Sequence, residues 1–176
     1  MSDKQKPTLG TLPPSGNRGL EALRSRPLRY VRFPATHSMG ALWMREYNTE
    51  SYAFWELCGD AQGAITVPGG KELRLNVSPQ ASTDLSPLGR LQPEDLQYLQ
   101  LSSTRVTNAG LSYLRGLTGL RVLWLYDTQV NDTGLVHLRG LTGLRVLNLR
   151  STLVSHSGVD ALQQALPQCE IRRAWK

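Results

Sequence analysis

The densest grouping of chemistry-bearing side chains is Ser155, His156, Ser157 and Asp160, the residue types of a nucleophile, a base and an orienting carboxylate. Their spacing argues against that use, because close neighbours at a helix start do not face one another. Ser155 also stands where a helix N-cap is expected, in phase with Thr107 and Asn131. The histidines His37, His137 and His156 lie in three separate contexts, and no two of them make a zinc signature. Gly69-Gly70-Lys71 lacks the G-x-x-x-x-G-K-[ST] spacing of a phosphate loop. Cys58 and Cys169 fit neither a disulfide framework nor a metal site, and both read as small buried hydrophobes. Glu94-Asp95 is a carboxylate pair placed in a loop. The expectation is a chain that is not an enzyme and holds no metal or cofactor.

A second kind of chemistry is recognition. Tyr98, Gln100, Trp124, Tyr126, Asn148, Arg150 and Arg172 combine aromatics, amides and arginines, the composition of interface hot spots. What brings them together is a repeat. Three stretches align without a gap at a period of 24 residues: Leu96, Leu99, Leu101, Thr104, Val106 and Gly110-Leu111; Leu120, Leu123, Leu125, Thr128, Val130 and Gly134-Leu135; Leu144, Leu147, Leu149, Thr152, Val154 and Gly158-Val159. The phrase LRGLTGLRVL occurs twice. In each unit the alternation at Leu99 and Leu101 predicts a short strand with Tyr98, Gln100 and Ser102 on its other side. The Thr hydroxyl is placed to satisfy backbone groups where the chain leaves the strand. A capping residue (Thr107, Asn131, Ser155) then opens a helix with one apolar face (Leu111 and Leu114, Leu135 and Leu138, Val159 and Leu162). Gly116 and Gly140 read as C′ glycines. One unit cannot bury its leucines alone, so like must stack on like, strands in a parallel sheet and helices outside.

The pattern L-x-x-L-x-L-x-x-T-x-V-(T/N/S)-x-x-G-L resembles the leucine-rich repeat family, of the cysteine-containing-like or bacterial type, over residues 91–176 and more weakly over 72–90. The resemblance implies an α/β fold, a short right-handed solenoid with a parallel sheet on its concave face. It also implies ligand binding by that face, with specificity in the outward strand positions. These run in columns: Arg74, Tyr98, Val122, Val146; then Asn76, Gln100, Trp124, Asn148, Arg172; then Ser78, Ser102, Tyr126, Arg150, Ala174. Five strands about 4.8 Å apart make a face roughly 20 Å wide, room for a helix or an extended peptide. That falls short of the ~800 Å² per partner of a standard interface.

The rest of the chain reads as its flanks. Residues 1–27 are rich in Pro and Gly and read as a flexible basic arm, with one helical turn at Leu20 to Arg24. Residues 28–90 read as a β cap with a degenerate first repeat. Its strands are expected at Arg29–Phe33, Ala41–Tyr47, Gly63–Val67 and Lys71–Val77, and Glu50–Leu57 is left as strand or short helix. Pro68-Gly69-Gly70 signals a hairpin between the last two strands. The whole is expected to form a small antiparallel sheet that covers the first repeat. Residues 91–176 hold the repeats and a C-terminal cap, whose edge Arg172, Arg173 and Lys176 make polar.

With 40% apolar and 19% charged residues among 176, the chain is neither disordered nor collagen-like. No apolar run reaches the ~18 residues of a membrane span, and no secretory h-region opens the chain. A monomeric cytoplasmic protein is therefore expected. The net charge of +6 is concentrated in residues 1–32, where seven bases face Asp3 and Glu21. The first functional expectation is thus a scaffold that binds a protein or peptide partner. The alternative is a binder of nucleic acid or an acidic partner through the arm and an edge of Arg121, Arg145, Arg150 and Arg172.

Overall fold

A computed structural model of the chain describes residues 27–46 and 55–173. The arm expected over residues 1–27 lies outside them except for Pro27, as do Ala174 and most of the 50–57 segment.

The strands are β1 (Arg29–Arg32), β2 (Gly40–Glu46), β3 (Glu56–Asp60), β4 (Ala64–Val67), β5 (Lys71–Val77), β6 (Tyr98–Gln100), β7 (Val122–Trp124), β8 (Val146–Asn148) and β9 (Glu170–Arg172). Seven of them form one sheet in the order β3-β2-β5-β6-β7-β8-β9, parallel from β5 onward. Leu75, Leu99, Leu123, Leu147 and Ile171 are successive Cα partners across it, each 24 residues after the last. The fold is mixed α/β with a parallel-rich sheet. The repeat period is therefore the register of the sheet: each unit returns the chain to the same height, one strand further on. Leu75, Leu123 and Leu147 are fully buried and Leu99 nearly so. Buried apolar side chains from Val31 to Cys169 form one cluster, and each buried Leu contributes about 1.5 to 3 kcal/mol to holding it.

Local chemistry repeats with the same period. Thr104, Thr128 and Thr152 each donate their hydroxyl to the carbonyl three residues back, on Leu101, Leu125 and Leu149, at 2.6, 2.8 and 2.7 Å. The bond closes a bend whose preceding residues, Ser103, Asp127 and Ser151, have φ of 54°, 55° and 54°. This left-handed conformation is uncommon for a residue with a Cβ. Asn131 and Ser155 cap as expected, accepting from the N–H groups of Thr133 and Gly158 at 3.0 Å each. Thr107 Oγ1 accepts from Gly110 N–H at 3.0 Å, but the helical turn of this unit begins at Gly110 with Ala109 in the cap position, so Thr107 is not its N-cap as expected.

The caps open shorter elements than expected. The first unit makes a 3-10 turn at Gly110–Leu114. The second makes a four-residue helix α1 (Asp132–Leu135) followed by a 3-10 turn at Val136–Leu138. The third makes the ten-residue helix α2 (His156–Ala165). In the first two units the phrase R-G-L-T-G-L follows at once and folds as consecutive tight turns. Leu117 N–H donates to Leu114 O, Thr118 to Gly116 O and Leu120 to Leu117 O, each at 2.9 Å. Those turns claim the residues a longer helix would use, and a 3-10 turn covers more distance per residue than an α-turn. Gly116 and Gly140 accordingly sit in turns without the positive φ of a C′ glycine. After α2 no such phrase follows, so the helix runs on to Ala165.

The N-terminal segment also differs from expectation. β2 pairs antiparallel with β5 along its whole length, from Gly40↔Val77 to Glu46↔Lys71. It thus extends the repeat sheet edge to edge and does not lie over the first repeat as a separate sheet. β3 continues that edge. β4 pairs with β1 in a two-stranded ribbon, so Pro68-Gly69-Gly70 makes a turn between two sheets and not a hairpin. The reason is that both edges of β5 are already occupied, one by β2 and the other by β6. Gly40, at φ 133°, lets β2 close on this neighbour, since a Cβ there would overlap the carbonyl of Asn76.

Candidate functional site

On the sheet face that carries Tyr98, Gln100 and Trp124 lies a cavity of about 580 Å³ lined by Arg45, Trp55, Arg74, Tyr98, Leu99, Gln100, Val122, Trp124, Val146 and Arg172. The volume is within the range of small-ligand sites. β6 and β7 bring Tyr98 and Trp124 into it because alternate strand residues share a face. The 24-residue register sets Gln100, Trp124, Asn148 and Arg172 side by side.

One wall is an aromatic clamp. The Arg45 guanidinium lies 4.5 Å from the ring centre of Trp55 and 4.6 Å from that of Tyr98, and the two rings meet edge to face at 4.7 Å. Arg45 Nε donates to Glu72 Oε2 at 2.9 Å, and its Nη2 donates to the Tyr98 hydroxyl. Glu72 is only 1% exposed and also faces Arg121 at 3.4 Å. A buried carboxylate between two arginines fixes the clamp, because an unpaired buried charge is costly. On the next strand, the Arg74 guanidinium lies 5.7 Å from the centre of the Trp124 ring. Burial holds the Arg74 pKa below its ordinary value.

Four of the seven singled-out residues line this cavity: Tyr98, Gln100, Trp124 and Arg172. Asn148 is not in its lining. Its Oδ1 accepts from Arg150 N–H at 3.1 Å, as Gln100 Oε1 accepts from Ser102 N–H at 3.1 Å, so both amides brace the exit from their strand. Tyr126 and Arg150 are exposed beyond the strand ends, outside the cavity. Arg45 and Trp55 were not foreseen. The alternation of Ala41, Trp43 and Arg45 put Arg45 on one strand face, but nothing local said which sheet that strand joins. Trp55 carries no periodic signal at all.

The arginine edge is mostly committed to local partners. Arg121 faces Glu72, Arg172 binds Glu170 at 2.8 and 3.2 Å, and Arg145 Nη1 donates to the carbonyls of Thr142 and Leu144 at 3.2 and 3.3 Å. Ser155 is likewise committed to structural bonds. Ser155 Oγ donates to Asp132 Oδ2 at 2.5 Å while Ser155 N–H donates to Asp132 Oδ1 at 2.8 Å. The serine is thus tied to Asp132, the first residue of α1 in the preceding unit. His137 accepts from Arg115 Nη2 through its Nδ1 at 2.6 Å. Desolvation first, then the Arg115 charge, lowers its pKa.

The cysteines divide. Cys169 is buried as expected, and burial pushes its thiol up to about 11. Cys58 is exposed, against expectation, because β3 is the outer strand of the sheet and all five of its residues face solvent. A thiol reagent at pH 8 is therefore expected to modify Cys58 in the folded protein and Cys169 only after unfolding, read as one label before denaturant and two after it. A raised folded-state pKa favours the thiol form. The contribution of Cys169 to stability is thus whole below the unfolded thiol value of about 8.5 and is lost as pH rises through 11.

No protein-family model matches the chain, and no curated protein matches it. Among solved structures it is similar to internalin C2 from Listeria monocytogenes, at 25% identity and a TM-score of 0.40, over 52% of this chain and 46% of that one. The chain thus spans about half the length of that structure. Among the described residues no helix is long and apolar enough to cross a membrane.

Proposed function

We propose that the chain is a protein-interaction module of the leucine-rich repeat type, a short right-handed solenoid whose sheet face binds a segment of a protein partner. The observation that carries this reading is the cavity where Trp124, Tyr98 and Trp55 meet Arg45 and Arg74. Hot spots take this composition, with aromatic and Arg anchors in a pocket bordered by near-neutral contacts. The position on a hydrogen-bonded sheet also limits the ordering that binding must impose. Arg121 of the edge is held in an ion pair, and Arg145 is bonded to backbone carbonyls. This favours the face over a phosphate-binding edge.

The test is retention of partners from source lysate by wild type, by Trp124→Ala/Arg172→Ala inside the cavity, and by Tyr126→Ala/Arg150→Ala beyond the strand ends. The inner pair is expected to lower affinity by about 30-fold or more, a hot-spot loss of about 2 kcal/mol, with unchanged thermal unfolding. The outer pair is expected to cost only a few-fold. Retention indifferent to both pairs but abolished by salt would place binding on the basic arm and overturn the reading.

A further inference from the structure

Arg74 sits at the centre of β5, with Trp43 and Tyr98 as its Cα partners on either side. The three arginines lining the cavity differ in how their charge is met. Arg45 has the Glu72 carboxylate at 2.9 Å, and Arg172 has the Glu170 carboxylate at 2.8 Å. Arg74 has no carboxylate at ion-pair distance among the described residues. Its Nε donates to the neutral amide of Asn76, at Oδ1 and 2.8 Å, and its remaining contact is the Trp124 ring. A half-buried guanidinium in aromatic surroundings is costly without a carboxylate. The bond to Asn76 uses Nε, which leaves Nη1 and Nη2 as an end-on fork for two oxygens of one acid.

Resting on the peptide-binding reading above, we infer that this cavity receives an acidic side chain, Asp or Glu, from a peptide segment that crosses the sheet, with Arg74 as its counter-ion and Trp124 as the wall for the apolar residue beside it. Charge and shape both commit the site to this occupant. No acid lines the cavity, and of its three arginines Arg45 and Arg172 are already met by Glu72 and Glu170, which leaves the Arg74 charge for a ligand. The strand residues of the lining come from β2, β5, β6, β7, β8 and β9, which at about 4.8 Å per strand is about 24 Å, the length of about seven extended residues. A trough of that length suits a chain that passes through more than a terminus that stops in it. Val122 and Val146, next to Trp124, give the floor its apolar character.

The probe is a displayed library of random dodecapeptides, selected on the full chain with depletion on Trp124→Ala. A selected peptide is then synthesised with its C-terminus free and amidated, and with its acid exchanged for the amide. Enrichment of Asp or Glu beside an apolar residue is expected, with about a tenfold or greater loss on the acid-to-amide exchange. Arg74→Gln is expected to lose as much, and the exchanged peptide should bind Arg74→Gln no worse than the original peptide does, since either change removes the same contact. The peptide exchange on wild-type protein reads that contact even if Arg74→Gln fails to fold. Selected peptides without acids, or losses that add, would overturn the role of Arg74 and leave peptide binding standing. Loss on amidation alone would assign a terminal carboxylate and overturn the side-chain occupant. No peptide above the Trp124→Ala background would overturn the binding reading and this inference with it.

Discussion

Glu72→Ala is expected to cost about 3 to 5 kcal/mol of folding stability, the scale of a buried ion pair broken on one side. Glu72 is 1% exposed, yet it carries a carboxylate between Arg45 at 2.9 Å and Arg121 at 3.4 Å. Removing it leaves the Arg45 side chain, itself only 14% exposed, between two aromatic rings with no anion. Cation–π contact with Trp55 and Tyr98 offsets only ~1 to 2 kcal/mol of that. Arg121 is more exposed and can turn to water, so the loss falls mainly on Arg45. Glu72→Gln keeps an acceptor for Arg45 Nε and is expected to cost about half as much. With a urea slope of about 1 to 3 kcal/mol per molar, the alanine variant should lower the midpoint by about 1 M or more. The joint variant Arg45→Met/Glu72→Met should recover most of the loss, because apolar groups of similar volume remove the unpaired charge as well as the pair. A cost below about 1 kcal/mol for Glu72→Ala would mean that Arg45 leaves the clamp for solvent.

Gly143→Ala is expected to destabilise by about 2 to 3 kcal/mol, while Gly140→Ala, three residues away, is neutral or stabilising by up to about 1 kcal/mol. The N–H of Gly143 donates to Thr118 O at 3.1 Å, and an added Cβ would overlap that same carbonyl. Its counterpart Gly119 donates to Pro93 O at 3.0 Å, and a Cβ would stand 2.6 Å from that oxygen. The carbonyl cannot give way, because Thr118 is held in consecutive turns by the bonds from Thr118 N–H to Gly116 O and from Leu120 N–H to Leu117 O. Gly140 has nothing within 4 Å of the place a Cβ would take and has no positive φ. Alanine there removes freedom from the unfolded chain without straining the folded one. Urea midpoints of the two variants, measured together, check the difference. Equal effects would refute the close packing of successive units at this turn.

The contrast between these glycines shows where reading the residues stops. In LRGLTGL both glycines look like turn residues, and the sequence assigned the helix ending to Gly116 and Gly140. The tight contact at Gly119 and Gly143 is made with the preceding unit, across a distance no local spacing records. What the sequence determined by itself was whatever repeats: the strand positions, the leucines that meet across them, the Thr hydroxyl in each bend and the capping residue after it. Each depends on residues within a few positions of one another, and a fixed period carries it from unit to unit. The columns holding Tyr98, Trp124 and Arg172 follow from the same arithmetic, since a parallel sheet of identical units has a register equal to its period. Tertiary structure alone decided the rest. It chose β5 as the partner of β2, β1 as the partner of β4, the Glu72 anchor for Arg45 and Trp55 as the outer wall of the cavity. These are pairings between segments that occur once, and their choice depends on which free edge and which buried charge another segment can satisfy. That competition is settled only when the whole chain is packed.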